Sequence, residues 1–443
     1  MAVRSVRGTS GQNGEVRAWM EERAESGGFR VEPVPFAELD GWGFESGSGD
    51  LVHRSGRFFR IRGLRARVES ADALQEWHQP IIDQPEVGLL GLVCQEIDGV
   101  LHFLMQAKME PGNPEPVQLS PTVQATRSNL TGAHGGRGVR LLECFHSENH
   151  SEVLADVLQS EHGSWFLRKN NRNKVVEISP DRRVPEHPDF RWFSLGALGE
   201  LLGLDGVVNM DSRSVLACLP AHTDENGSLH SDAEVRSWFA GQRFEQSVNA
   251  EPVGLSGLPD WVRERERVRH VGGRYFDVVG VAVRARSREV RGWSQPLLRP
   301  VAQGVVAFLA RRFGGVPHLL VQARAEPGLV GGVELAPTVQ CTPENYAHLP
   351  ADRRPAFLDM VLPVVEESAP ALYRAVHTEE GGRFRDAESL YAVVEAGPDL
   401  ADPPPGYLWV TPGQLGSLLL HGQYVNVQAR TLLACVNTGA VRL

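Results

Sequence analysis

Lysine is almost missing from this chain. Of 45 basic residues only Lys108, Lys169 and Lys174 are lysines, so arginine carries nearly all the positive charge. That bias fits a GC-rich genome, and it makes each surviving lysine a better candidate for a chemical role. Long apolar runs are missing too. No stretch approaches the roughly 18 apolar residues of a spanning helix, and Met1 to Asn13 has no apolar signal core. A soluble, cytoplasmic protein is expected. The five cysteines (Cys94, Cys144, Cys218, Cys341, Cys435) form no C-x-x-C pair and are too sparse for a disulfide framework; they read as small buried hydrophobes. With a net charge of -10 and no Lys/Arg run, neither nucleic acid nor a membrane surface is expected as main partner. Small ligands fit better.

What is there first is length. At 443 residues, 42% of them apolar, the chain holds two or three domains with real cores. Self-similarity then organises it. Trp77-His78-Gln79-Pro80 recurs as Trp293-Ser294-Gln295-Pro296, Gln106 to Gly112 as Gln322 to Gly328, and Leu119 to Gln124 as Leu335 to Gln340, all at an offset of 216. Further on, Ser160-Glu161-His162-Gly163 aligns with Thr378-Glu379-Glu380-Gly381, Trp192 with Trp409, Asn209 with Asn426, Arg213 with Arg430 and Cys218 with Cys435. The chain is read as a tail (1–14), a first repeat (15–220), a linker (221–233) and a second repeat (234–443). Each repeat shows what the other still needs, for packing or for binding.

Local patterns make both repeats α+β. Phe58 to Val68 and Tyr275 to Val283 read as strands. Leu89 to Glu96 and Val100 to Met105 flank Asp98-Gly99, a hairpin turn signal, and Val305 to Ala310, Gly314-Gly315 and Val316 to Val321 repeat it. Thr411 before Pro412, with Gly422 beyond, marks a helix whose counterpart is Ser194 to Gly203. Each half is expected to be a bent mixed sheet flanked by a few helices.

Several motifs carry chemistry. Gln106, Lys108 and Glu110 leave a strand and turn at Pro111-Gly112; the lysine suits a phosphate and the glutamate a sugar hydroxyl. Gln322, Arg324 and Glu326 repeat the pattern with charge kept. A turn with a surface ion pair is the plainer reading. Pro121-Thr122-Val123-Gln124 and its twin with Thr338 and Gln340 read equally as ligand contacts or a structural edge. The halves differ most between Ser164 and Asn173, where Trp165, Lys169, Asn171, Arg172 and Asn173 face Gly382 to Tyr391, so that Lys169 matches Ala387. Either one site kept a demanding chemistry or a loop drifted. His146 and His150 lack a zincin glutamate, and His102 and His318 sit inside strands as packing residues. Dinucleotide, P-loop and nucleophile-elbow signatures are missing, and Glu366-Glu367 lacks the Gly-rich loop of a pyrophosphatase metal box.

The quoted segments, above all Glu326-Pro327-Gly328, Leu335 to Thr342, Glu379-Glu380-Gly381-Gly382-Arg383-Phe384, Val425 to Arg430, Gly163 to Phe166 and Asn171-Arg172-Asn173, resemble the NDP-hexose 2,3-dehydratases of actinomycete deoxysugar pathways. The resemblance spans nearly the whole chain; Lys174 stands where an apolar residue is expected. It implies two fused Nudix-like modules in a homodimer, without metal or cofactor. The implied substrate is dTDP-4-keto-6-deoxyglucose, dehydrated across C2 and C3 to a 3,4-diketo-2,6-dideoxy sugar that a 3-ketoreductase captures. That reaction needs a base at C3, a donor at the C4 oxyanion and an acid for the hydroxyl. In the first-repeat cluster Glu161 is expected as base and Lys169 as oxyanion or leaving-group donor, roles the resemblance itself does not assign. Asn171, Arg172 and Asn173 would orient sugar and diphosphate and Trp165 would stack, with Lys108, Ser160, Gly163, Asn209 and Arg213 nearby. The second pocket would use Arg324, Glu326, Glu379, Glu380, Gly381, Gly382, Arg383, Phe384, Tyr391, Asn426 and Arg430. Which half turns over is open. The alternatives are a noncatalytic nucleotide-sugar-binding scaffold and a relic pyrophosphatase.

Overall fold

The computed structural model describes residues 13–70, 73–126, 138–149, 151–219, 227–286 and 290–443. His150 and residues 221–226 of the expected linker lie outside them. The fold is α+β, mostly sheet, built twice. In each half a seven-stranded mixed sheet forms around a hairpin, Gly88–Ile97 with Val100–Met109 and Gly304–Phe313 with Val316–Ala325. Both hairpins turn where the sequence signals it: Asp98 and Gly99 take φ of 51° and 76°, Gly314 and Gly315 57° and 87°. These left-handed values match the twist of the paired strands. Asn170–Glu177 adds in parallel to Gly88–Ile97, and Glu388–Glu395 to Gly304–Phe313.

Two five-stranded sheets complete the molecule, and they trade strands. Arg30–Val34 of the first half pairs antiparallel with Phe276–Arg284 of the second, while Ser247–Val253 of the second pairs with Arg60–Ser70 of the first. Trp42 donates to the Ser294 carbonyl at 2.9 Å, and its counterpart Trp261 donates to that of His78 at 2.8 Å. Each half therefore completes the other's sheet.

The helices start where their caps predict. Ser194 caps Leu195–Leu202, and Thr411 with Gln414 forms a capping box for Pro412–Leu419. Two helices that local patterns did not reveal, Met210–Leu216 and Val427–Asn437, are capped by Asn209 and Asn426 and pack against one another. Val215, Leu216, Leu432 and Leu433 join Phe103, Val175, Phe308 and Val393 in one buried cluster spanning both large sheets. The cysteines are free, and all but Cys341 are fully buried. No helix among the described residues is long and apolar enough to cross a membrane.

Candidate active site between the halves

The loop after Glu110 in one half locks into the turn after Glu380 in the other. Gly112 donates to the Gly381 carbonyl and Asp386 donates to that of Gly112, both at 2.8 Å. Reciprocally, Gly328 donates to Gly163 at 2.7 Å and Arg168 to Gly328 at 2.6 Å. Glycine is required at these crossings: a Cβ on Gly112 would lie 1.6 Å from the Phe384 carbonyl oxygen, and one on Gly328 1.9 Å from that of Phe166. The repeated Trp-x-Gln-Pro motif braces the turns. Trp77 and Trp293 each hold the glutamine two residues on at 2.8 Å, and Gln79 and Gln295 then donate to the Ser164 and Gly382 carbonyls.

This interlock makes two composite sites. The first gathers Lys108, Glu110, Gln124, Glu161, Lys169 and Asn171 from the first half with Glu380 and Arg383 from the second. Glu110 is held by Gln124 at 2.8 Å and pairs with Lys108 at 3.4 Å; Gln124 is held by Asn209 at 3.2 Å. Asn171 donates to one oxygen of Glu161 at 2.6 Å. The other oxygen of Glu161, which is 4% exposed, makes no hydrogen bond and lies 3.7 Å from Nδ1 of His162; Oδ1 of Asp211, 3% exposed, makes none either. Lys169, 6% exposed, donates to the Glu86 carbonyl. Burial lowers its pKa against the opposing charges of Glu161 and Glu86. Arg383 is steered by Gln84 at 3.0 Å and lies over the Phe59 ring. Burial raises Glu380 to about 8, with Arg383 opposing and Glu110 and Glu161 adding to it. Burial likewise raises Asp211 well above a normal carboxyl, and Glu161, Glu380 and Glu110 push the same way.

The second site repeats the scaffold with different partners. Glu326 is held by Gln340 at 2.8 Å, Arg324 at 3.1 Å and Ser164 at 3.3 Å; Asn426 holds Gln340 at 2.7 Å. Ser389 and Tyr391 donate to Glu379 at 2.9 Å, and His162 meets its other oxygen at 2.9 Å. Burial opposes the His162 imidazolium, but Glu161 and Glu379 outweigh it and raise its pKa to about 9. Burial would raise Glu379; His162, Arg213 and Tyr391 together hold it below its usual range. Trp165 stacks on His162 at 5.4 Å and tilts against Phe384 at 4.5 Å.

The sequence placed Trp165 with the first cluster and Glu380 and Arg383 with the second; the interlock exchanges them. Some expected site residues have structural work instead. Arg213 and Arg430 are buried and each reaches into the other half, donating to the Thr378 carbonyl at 2.6 Å and that of Ser160 at 2.5 Å. Thr122 and Thr338 bridge backbone groups within their sheets, and Phe384 is core. Asn173 is buried against Ser214. Arg172 points to the opposite strand face from Asn171 and pairs with Asp156 in solvent. Ser160 donates to Glu334 at 2.6 Å, and burial raises that carboxyl to about 7. Gln106 and Gln322 share strand faces with Lys108 and Arg324. Gly163, Gly381 and Gly382 allow close approach of Glu326, Asn113 and Glu380. Lys174 donates to the Phe145 carbonyl at 3.0 Å, a packing role. His162, Gln84 and Asp211 were missed. Two stood at positions where the aligned halves differ, His162 against Glu380 and Asp211 against Gln428.

A buried ammonium beside carboxylate oxygens that lack hydrogen bonds and amide-held glutamates is the make-up of an acid–base site, and the two halves carry unequal versions of it. The comparisons agree. The family model described as NDP-hexose 2,3-dehydratase matches twice, at residues 13–219 and 232–436. The chain is 53% identical over 435 residues to the dTDP-4-dehydro-6-deoxy-alpha-D-glucopyranose 2,3-dehydratase of Amycolatopsis orientalis, covering 97% of this chain and 91% of that one. It is 47% identical to the Streptomyces violaceoruber protein of the same name (95% and 96% covered) and 43% to that of Saccharopolyspora spinosa (96% and 91%). The chain belongs to the NDP-hexose 2,3-dehydratase family.

Proposed function

We propose that the protein removes water across C2 and C3 of dTDP-4-keto-6-deoxyglucose in the first composite site. The C4 ketone acidifies the C3 proton, so a carboxylate can form the enolate and the C2 hydroxyl leaves from the β position. Glu161 is the base: Asn171 anchors one of its oxygens, and the other is buried, free of hydrogen bonds and 3.7 Å from the His162 ring. Lys169 stabilises the developing C4 oxyanion. Glu110 accepts from a sugar hydroxyl, and Arg383 and Lys108 answer the diphosphate. Arg172, Asn173 and Arg213 are left out of these roles because their partners are already fixed.

One observation carries the assignment to the first site: Glu161 and Asp211 each keep an oxygen without a hydrogen bond there, whereas both oxygens of Glu379 are taken, by Ser389 and Tyr391 on one and His162 on the other. The second site, with its aromatic stack, holds nucleotide sugar without turning it over. The parallel strand pair inside each seven-stranded sheet supports reading each half as Nudix-like. A homodimer and transfer of the diketo product to a 3-ketoreductase complete the proposal.

The test is incubation with the 4-keto sugar nucleotide, followed by mass spectrometry and NMR. A product lighter by one water is expected. Release of thymidine monophosphate with magnesium would identify a pyrophosphatase, and binding without change a scaffold; either would sink the proposal.

A further inference from the structure

The first site has a base and an oxyanion donor, but elimination also needs a proton for the departing hydroxyl. Glu380 is the group whose placement suits that task. It opens a tight turn, its carbonyl accepting from Arg383 at 3.2 Å and Phe384 at 3.0 Å. Docking of that turn on Gly112 brings it to the Glu110 loop. Its carboxylate has contacts to share with Glu110: the Cβ position on Gly382 lies 2.4 Å from Oε1 of Glu380 and 3.6 Å from Oε1 of Glu110. The two oxygens are thus within about 6 Å, a gap that one sugar hydroxyl spans by hydrogen bonds of ordinary length. The side chain is half-buried. Its twin position holds His162, which is committed to Glu379.

We propose that Glu380, delivered across the interface by the second half, is the acid that protonates the C2 hydroxyl as it leaves. This rests on the reading of Glu161 as base. The steps balance. Glu161 takes the C3 proton, and the C–H electrons form the C3–C4 enolate. As C4 regains its carbonyl, the enolate electrons form the C2–C3 double bond, the C2–O bond breaks, and its oxygen takes the Glu380 proton to leave as water. The product is an enol at C3. When it ketonises, C2 gains the proton held by Glu161 and the C3 hydroxyl returns one to Glu380, restoring both groups. Glu380 would be ionised in water at neutral pH; here burial keeps it protonated up to about 8. The groups facing it are Glu110 and Lys108 from one strand end, Glu161 and Lys169 from the turn that joins two strands, Asp211 from its helix, and Arg383 from its own turn.

The experiment compares Glu380→Gln with Glu161→Gln in heavy water, using the natural 4-keto substrate and its 2-fluoro-2-deoxy analogue, whose fluoride leaves without a proton. Glu380→Gln should lose about 10²- to 10⁴-fold in water elimination. It should still label C3 of recovered substrate with deuterium and release fluoride within about threefold of the unaltered enzyme. An unchanged rate of water loss, or equal losses with both substrates and no label, overturns the assignment. Glu161→Gln should abolish labelling; if it labels normally, the base assignment fails and the acid assignment is judged by the fluoride arm alone.

Discussion

Replacing Lys169 by Met keeps the length of the stem and removes the charge. The ammonium is buried beside Glu161, Glu86 and Glu380 and donates to the Glu86 carbonyl. Opposite charges 4 Å apart attract by about 4 kcal/mol at an effective dielectric of about 20. Loss of a single oxyanion donor typically costs about 10² to 10³ in kcat, roughly 3–4 kcal/mol. The two scales agree, so Lys169→Met should lower kcat about 10²- to 10³-fold, and Lys169→Ala by at least tenfold. KM should change little, because the charge being stabilised develops only in the transition state. The orphaned Glu86 carbonyl adds about 1–3 kcal/mol of destabilisation, visible as a lower Tm but short of unfolding. The assay is single-turnover consumption of the 4-keto sugar nucleotide, with the folded fraction read by thermal melting. An unchanged rate in a folded variant would remove Lys169 from the chemistry.

The acid role of Glu380 fixes the basic limb of the kcat profile. An acid raised to about 8 works below that pH and is lost above it, so the fall near pH 8 should vanish in Glu380→Gln. Stability should show a different titration. His162 is raised from 6.5 to about 9, so its contribution is full below pH 6.5 and disappears as pH climbs through 9; at 1.36 kcal/mol per unit it is on the order of 3 kcal/mol. Urea unfolding at pH 6 and pH 10 should show that difference, reduced in His162→Gln. Gly112→Ala drives a methyl into the Phe384 carbonyl; it should destabilise by about 3 kcal/mol or more through backbone displacement and lost interlock bonds, as checked by chemical denaturation.

Local chemistry was legible wherever a short segment decides its own shape. Asp98-Gly99 and Gly314-Gly315 specified the hairpins, and Ser194 and Thr411 the helix starts. The duplication was legible from matched motifs, and two of the three lysines, Lys108 and Lys169, do stand in the first site. Strand exchange was not. Arg30–Val34 and Ser247–Val253 are equivalent segments, so nothing local tells whether each pairs inside its own half or across. The paired arginines misled for a related reason: Arg213 and Arg430 were retained to cross-link the halves, and retention alone does not separate a cross-link from a ligand contact. Asn209 and Asn426 serve as helix caps as well as supports of Gln124 and Gln340. The swap of Glu380 and Arg383 into the first site depends on tertiary contacts between glycine turns, which the sequence shows only as turns.

The central claim, that the two equivalent sites differ and that the first carries the reaction, is tested most directly by kcat of two matched variants, Glu110→Gln and Glu326→Gln. Both carboxylates are buried, and each is held by the equivalent glutamine of its own half, Glu110 by Gln124 and Glu326 by Gln340, at 2.8 Å. The first variant should lose at least tenfold and the second should stay within about threefold of the unaltered enzyme; equal losses, or a loss confined to Glu326→Gln, would contradict it.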